Sequence, residues 1–450
     1  MKHPYAASRT ICLLGLVCTG CGRTPLNPGS AGPAASTPDA GADARARNQD
    51  AVADGATLVA DATDSLRADL ASERGGDGIR GGTADGYLGN SDASTFGQFA
   101  DDAGSVANNW AINPSHDNAQ PNDQVQSPLT KRWTAHFTGP VSFPLAASGR
   151  VFVSVTEAQP NVRALDLETG AVLWGPIATG SKVWIACDAA NVYTLDRDGN
   201  LSAFDVSDGH TSWSTKLTLQ YDYESPPVTA AGMVFVDGMG IGGTTYAIDA
   251  ATGTVRWTAD TFDGSGGAVA VVGNTVYEAE ACDQVSAFDL MTGSRRWFHS
   301  GNCTGGGGTT PTVAVGRVWV RDWAEGNIIL DLNGNSTGTF SVDRPPSLHG
   351  GLVFYVRSQT LTAIDVESNV SQWSFAGDKT LCTSAVIAGL GGQVFVGSSG
   401  GNVYELDEVT GVQRSVDVAG TAVSCSSDIQ GMALAENRLL VSVSNDLVVY

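Results

Sequence analysis

The sequence predicts an all-β fold: an eight-bladed β-propeller of four-stranded antiparallel blades, its last blade closed by the N- and C-terminal strands, behind a disordered N-terminal tether. Three observations carry that expectation. A pattern of eleven residues returns along the chain after residue 130. The stretches between its copies are β-branched, alternating and broken by glycine turns, and the first 128 residues differ in composition from the rest. At 450 residues and 42% hydrophobic, the chain has enough apolar surface for one large closed core. Its formal charge of -22 excludes a nucleic-acid footprint, which needs Lys and Arg gathered on one face.

Residues 1–20 read as a lipoprotein-type signal peptide. Lys2, His3 and Arg9 precede "ICLLGLVC", which is too short to span a bilayer and suits the apolar part of an export signal. The "LVCTGC" that follows resembles a bacterial lipobox, and the resemblance implies lipidation of Cys21. Cys18 stands where that motif prefers Leu, so plain secretion is the alternative. Gly22 is not the acidic residue that would retain an anchored protein at the inner membrane, and an outer-membrane anchor is expected. Residues 21–128, rich in Ala, Asp, Gly, Ser and Pro, bury too little to offset their ordering entropy and are expected to form the tether. A flexible chain of that length reaches roughly 50 to 60 Å.

The propeller is expected over 129–450. Aligned on their Asp, "ALDLETGAVLW", "AFDVSDGHTSW", "AIDAATGTVRW", "AFDLMTGSRRW" and "AIDVESNVSQW" place Trp174, Trp213, Trp257, Trp297 and Trp373 eight residues after Asp166, Asp205, Asp249, Asp289 and Asp365. Degenerate copies surround Asp331 and Asp407, and the seven Asp positions lie 34 to 44 residues apart, the period of a propeller blade. Two further strand patterns fill each interval, so every repeat supplies four strands. The Asp and the Gly bracket the turn between third and fourth strands: Asp accepts from turn N–H groups and Gly supplies a positive φ. The Trp is placed on the outer strand, docked on the neighbouring blade. "DLVVY" at Asp446–Tyr450 matches a third strand, and "LTKRWTAHF", with Trp133 at the docking position, supplies the fourth.

The pattern Ala-x-Asp-x-x-x-Gly-x-x-x-Trp resembles the tryptophan-docking motif of pyrroloquinoline-quinone-like (PQQ-like) propeller repeats. That family includes quinone-dependent dehydrogenases and cofactor-free scaffolds, among them the eight-bladed lipoprotein of the outer-membrane barrel-assembly machinery. A dehydrogenase of the family would carry adjacent cysteines beside its quinone and Glu, Asn and Asp ligands for calcium; the sequence has no Cys-Cys pair. Asp222 and Glu224 in "QYDYESPP" offer oxygens to a cation, but a solvated loop explains them as well. "GSSGG" joins two strands rather than a strand and a helix, and "DRDGN" reads as a hairpin turn. No catalytic residue, no metal ligand and no cofactor are assigned; PQQ and calcium enter only under the dehydrogenase alternative.

The cysteines fit an oxidising compartment. Cys282 with Cys303 and Cys382 with Cys425 are expected disulfides on one face of the disc, leaving Cys187 free and buried. The reading that results is a monomeric, non-enzymatic cell-envelope lipoprotein, facing the periplasm or the cell surface and touching the membrane only through its lipid. Its propeller would bind an envelope protein partner, with Tyr221, Tyr223, Asp322, Trp323 and Glu325 as candidate contacts. A carbohydrate or small ligand in the central channel is a further alternative.

Overall fold

Each repeat folds as one blade because its four strands alternate side chains between two seams. The structure is a computed structural model and describes residues 105–450 apart from 241, 304–306, 323–324 and 421–430. The signal peptide, Cys21 and the tether up to residue 104 lie outside the described residues. Eight four-stranded antiparallel sheets occupy 145–178, 183–216, 228–261, 270–299, 312–340, 347–375, 386–418 and 432–449. We number them blades 1 to 8. The eighth takes its fourth strand, Trp133–His136, from the far end of the fold, pairing Trp133 with Val449 and His136 with Asp446. Among the described residues no helix occurs.

Burial grades outward. First strands such as Leu145–Ala147 and Val386–Ala388 are wholly buried, whereas fourth strands such as Ser371–Phe375 alternate toward water. Along each second strand, successive side chains serve the seams with the following and the preceding blade, as the two-residue period requires. Thus Phe235 packs with Trp257, Val276 and Phe288 at the seam between blades 3 and 4, while Val234 and Val236 join Tyr193 and Leu201 at the seam between blades 2 and 3.

The folded body begins before residue 129, where the sequence puts its boundary. Residues 105–124 run once around the inner strands and bond every blade in ring order. Ser105 O accepts from Glu436 N of blade 8, and Ala107 exchanges two backbone bonds with Ala146 of blade 1. Asn108 O takes Cys187 N of blade 2, and the Asn109 amide grips Thr229 of blade 3 through both backbone groups. The carbonyls of Pro114, Ser115, Asp117 and Asn118 then accept from Val271, Val313, Leu348 and Ile387 of blades 4 to 7. Asp123 returns to blade 8 at Asn437 N. Ala119–Gln120 even adds a short parallel strand to blade 7. An inner strand is a sheet edge with unpaired N–H groups, and this circlet of carbonyls satisfies them.

The circlet is wound tightly. Ala111, Ile112, His116 and Asn118 all have φ between 56° and 79°, a region that costs a residue with a Cβ, and a β-branched one most. Bonds to the ring hold it there. His116 is fully buried, its ring nitrogens 2.8 Å from Trp110 O and 2.7 Å from Val269 O. Burial pulls its pKa below the usual value, and the two carbonyls oppose that only in part.

Candidate functional site: one face, the channel and the blade 3–4 seam

The repeated motif builds the frame that positions everything else. In the turns, Asp166, Asp249, Asp289 and Asp407 each accept from the backbone N and the hydroxyl of the Thr three residues on. Arg296 and Thr292 hold the Asp289 carboxyl at about 2, and Arg414 and Thr410 do the same for Asp407. Each indole N–H of Trp133, Trp174, Trp213, Trp257, Trp297 and Trp373 donates to a carbonyl of the next blade, at 2.8 to 2.9 Å. The acceptors, from Leu167 to Glu408, each follow that blade's turn Asp by one residue. The ring lies flat on the turn glycine, so that a Cβ on Gly253 would meet Trp213 at 2.5 Å. The glycine therefore answers two demands, a φ of 71° and a bare surface for the previous blade's indole.

Where the receiving turn lacks that surface, the donor lacks its Trp. Blade 6 turns on Asn369 (φ 55°) rather than Gly, and blade 5 carries Gly338 at the docking register opposite Ile329. Blade 8 has no continuous turn between its third and fourth strands, and blade 7 carries Ser415 opposite Glu405. Residues 125–129 fill that gap: Ser127 and Ser415 hydroxyls donate to Glu405, and Gln393 bonds both backbone groups of Val125.

The candidate contacts separate on the structure. Tyr221 is 70% exposed, as are Leu219 (59%) and Phe262 (56%). Tyr221 flanks the blade 3 hairpin against Gly240, and Phe262 follows that blade's last strand. Phe262 packs against Phe298 at 4.2 Å between ring centres, the planes tilted by 35°, with the Arg295 guanidinium 4.8 Å above the Phe262 ring. Tyr223 does not belong with them. It is fully buried in the seam between blades 2 and 3, its hydroxyl 3.0 Å from that of Tyr246. This corrects the expectation of a surface contact: Tyr223 lies in an irregular loop, where no two-residue alternation marks which side chains turn inward. Asp322 is buried too; its carboxylate accepts from the backbone N of Cys282 and of Glu325, tying the loops of blades 4 and 5. Glu325 is exposed and accepts from Asn302, and Trp323 lies outside the described residues. Asp222 and Glu224 both pair with Arg197, at 2.7 and 2.9 Å.

Cys282 and Cys303 are bonded, with Cα atoms 5.4 Å apart. Cys382 is disulfide-bonded, and Cys425 lies outside the described residues. Cys187 is free and buried, and burial pushes its thiol up.

Two interior features went unseen in the sequence. One is an axial cavity of about 50 Å³, floored by Asn109, Trp110 and Asn118 of the circlet and walled by Pro144, Arg344 and Thr383. That is room for a few waters. A wider hollow of about 510 Å³ lies against the circlet at Pro114, Ser115 and Asp117, bordered by Val271, Val313 and His349 of blades 4 to 6. The other is a knot of acids between blades 3 and 4. Asp237 is 2% exposed and Glu278 and Glu280 are 0% exposed. Burial, then Glu280 and Asp237, push the Glu278 carboxyl well above the usual range; burial raises Asp237 to about 8 and lifts Glu280 as well. Asp283 nearby is pushed to about 6 by burial, Asp322 and Glu325. The signal existed: "TVYEAE" puts two acids into a strand whose counterparts read "RVFVSV" and "MVFVDG". Among the described residues, the one group of three acids or histidines whose ligand atoms all lie within 4.8 Å of one another is Asp205, Asp208 and His210 on the outer turn of blade 2, where Ser207 and His210 already engage those carboxylates.

A ring of eight similar sheets, sealed by strands from opposite ends of the fold and pinned by indoles, defines the protein's class as an eight-bladed PQQ-like β-propeller. Over residues 127–298 and 241–450 the sequence matches the family described as outer membrane protein assembly factor BamB, and the chain belongs to that family. Among solved structures it resembles BamB from Moraxella catarrhalis at 18% identity and a TM-score of 0.53, over 71% of this chain and 96% of that one. It resembles quinohemoprotein alcohol dehydrogenase from Comamonas testosteroni at 14% identity and 0.60, over 77% and 80%. The computationally designed Ika8 protein is similar at 14% and 0.59, over 70% and 97%. At such identities the likeness is one of fold. No curated protein matches the sequence.

Proposed function

We propose that the protein is a non-enzymatic cell-envelope lipoprotein, anchored in the outer membrane through Cys21, whose propeller is a scaffold for another envelope protein. The circlet carries the reading. The axis is occupied by the chain's own residues 105–124, which bond all eight blades and close them into one rigid platform. Membership of a family described as an assembly factor supports the same reading. Tyr221, Leu219 and Phe262 beside the blade 3 hairpin have the exposure and apolar bulk of interface anchors.

Crosslinking in intact cells followed by mass spectrometry tests this. Envelope proteins joined to peptides around Tyr221 and Phe262, and lost on Tyr221→Ala with Phe262→Ala, are the expected outcome. Crosslinks spread evenly over the disc, or unchanged in the double variant, would remove this surface from consideration. Dye reduction by the purified protein after addition of quinone and calcium would establish the dehydrogenase instead.

A further inference from the structure

We propose that the seam between blades 3 and 4 is a binding site for a hard divalent cation of the calcium class, held by Glu278, Glu280 and Ser286 with Asp237 beside them. This inference is independent of the scaffold reading.

The repeat supplies its own control. At the position of Glu278 on the second strand, the other blades carry Val153, Thr194, Val236, Val320, Tyr355, Val396 and Val441, each one residue beyond the residue that pairs with the third strand's Ala or its equivalent. A carboxylate thus occupies a slot built for valine. It faces blade 3, as Val276 does two residues earlier, and Asp237 faces it from blade 3, as Phe235 does. Ser286 stands directly opposite Glu278 in the antiparallel pair, so the two share a face.

Hydrogen-bond donors leave these groups unfinished. No donor reaches either oxygen of Glu278, one of Glu280, one of Asp237 or the hydroxyl of Ser286 with ordinary geometry, and the nearest polar side chains to the Glu278 carboxyl are those of Glu280 and Ser265. Glu280 spends its other oxygen on the backbone N of Asp263, and Asp237 its other on Thr245. Buried polar atoms are seldom left so, and a bare buried carboxylate costs several kcal/mol as an order of magnitude. Every orphan in the seam is an oxygen. Oxygen-only donor sets are what calcium takes, six to eight at a time, with backbone carbonyls and water completing the shell. The groups that act most strongly on Glu278 are burial, Glu280 and Asp237, and no cationic side chain is among them.

The surroundings close over the seam. Gly308 (φ 78°) brings its backbone so near Glu280 that a Cβ would sit 2.9 Å from that residue's Cα. The Cys282–Cys303 bond ties the loop after Glu280 to the loop that leads to Gly308. The arrangement suits a retained structural ion rather than a passing one.

The test uses the purified full chain, stripped with chelator and titrated with calcium or magnesium alone, with calorimetry and thermal melting as readouts. One calcium per chain and a rise in the melting midpoint of more than about 3 °C are expected, with magnesium weaker. Glu278→Gln should abolish both effects. Glu278→Val, which restores the residue of most other blades, should leave the stripped protein more stable than stripped wild type and blind to calcium. Should neither variant fold, terbium luminescence on the wild-type chain decides: emission sensitised by nearby aromatic rings and displaced by calcium supports the site, and its absence overturns it. Equal calcium binding in wild type and Glu278→Gln overturns it too, and so does a stability that responds to pH but not to calcium.

Discussion

Trp257 shows what one residue does in this fold. Its ring is 9% exposed, its N–H is spent on Leu290 O of blade 4, and it packs at tilted angles against Phe235 and Phe288, 6.0 and 6.5 Å away between ring centres. Trp257→Ala should cost about 3 to 5 kcal/mol in denaturant unfolding, because it leaves a cavity and an unmatched carbonyl together. The glycine that receives an indole is as constrained as the indole. Gly253→Ala meets both a positive φ and Trp213, whereas Gly273 has φ 56° and nothing within 4 Å of an added Cβ. Gly273→Ala should therefore cost about 1 kcal/mol, the backbone share alone. Gly253→Ala should cost clearly more; equal losses in the two variants would mean that indole contact adds nothing to the glycine's role. Tyr223 marks the limit of residue-level reading, since its chemistry fits an interface and only its seam position makes it core.

At the scale of elements, the circlet joins parts that would otherwise meet only through their neighbours. His349 on the inner strand of blade 6 sits 2.7 Å from Glu408 of blade 7, with Asp117 of the circlet nearby. The Glu408 hydrogen bond raises the imidazole above its usual value against the opposing effect of burial. The folded state then holds that proton more tightly than the unfolded chain does. Its stabilisation is complete below about pH 6.5 and is lost as pH rises through the raised value. The difference in unfolding midpoint between wild type and His349→Gln should shrink as pH rises from about 6.5. A difference that stays constant with pH would show that the pair contributes packing and not charge.

At the scale of the whole molecule, closure is the decisive event. Blade 8 exists only when Trp133–His136 reaches Asp446–Val449, so deletion of residues 129–137 or of 446–450 should lower the midpoint of the entire ring in one cooperative step. Deletion of residues 1–104 should leave the melting unchanged. Deletion of 1–124 should lower it, and hydrogen exchange should speed up at Val271, Val313, Leu348 and Ile387, whose N–H groups the circlet covers. Unchanged exchange at those four amides would mean that the circlet is a passive lodger in the channel.

The blades, their number, the shared last blade and the indole positions were legible in the sequence, because a repeat prints the same local demands many times. A turn needs an acceptor and a positive φ, an indole needs a bare glycine, and each demand falls on residues close together in the chain. The circlet was not legible. Residues 105–124 have a tether's composition, and they are ordered by inner-strand N–H groups contributed from eight places along the chain, which no local window contains. The acid seam was half legible: "TVYEAE" is written in the sequence, but that Glu278 faces Asp237 across 41 residues of chain, closed from water, is a property of two sheets meeting. Sequence determined the units and the rule for joining them. Tertiary structure alone decided what fills the axis and which charges are buried together, because both depend on the unpaired edges and faces that remain after the local rules are satisfied.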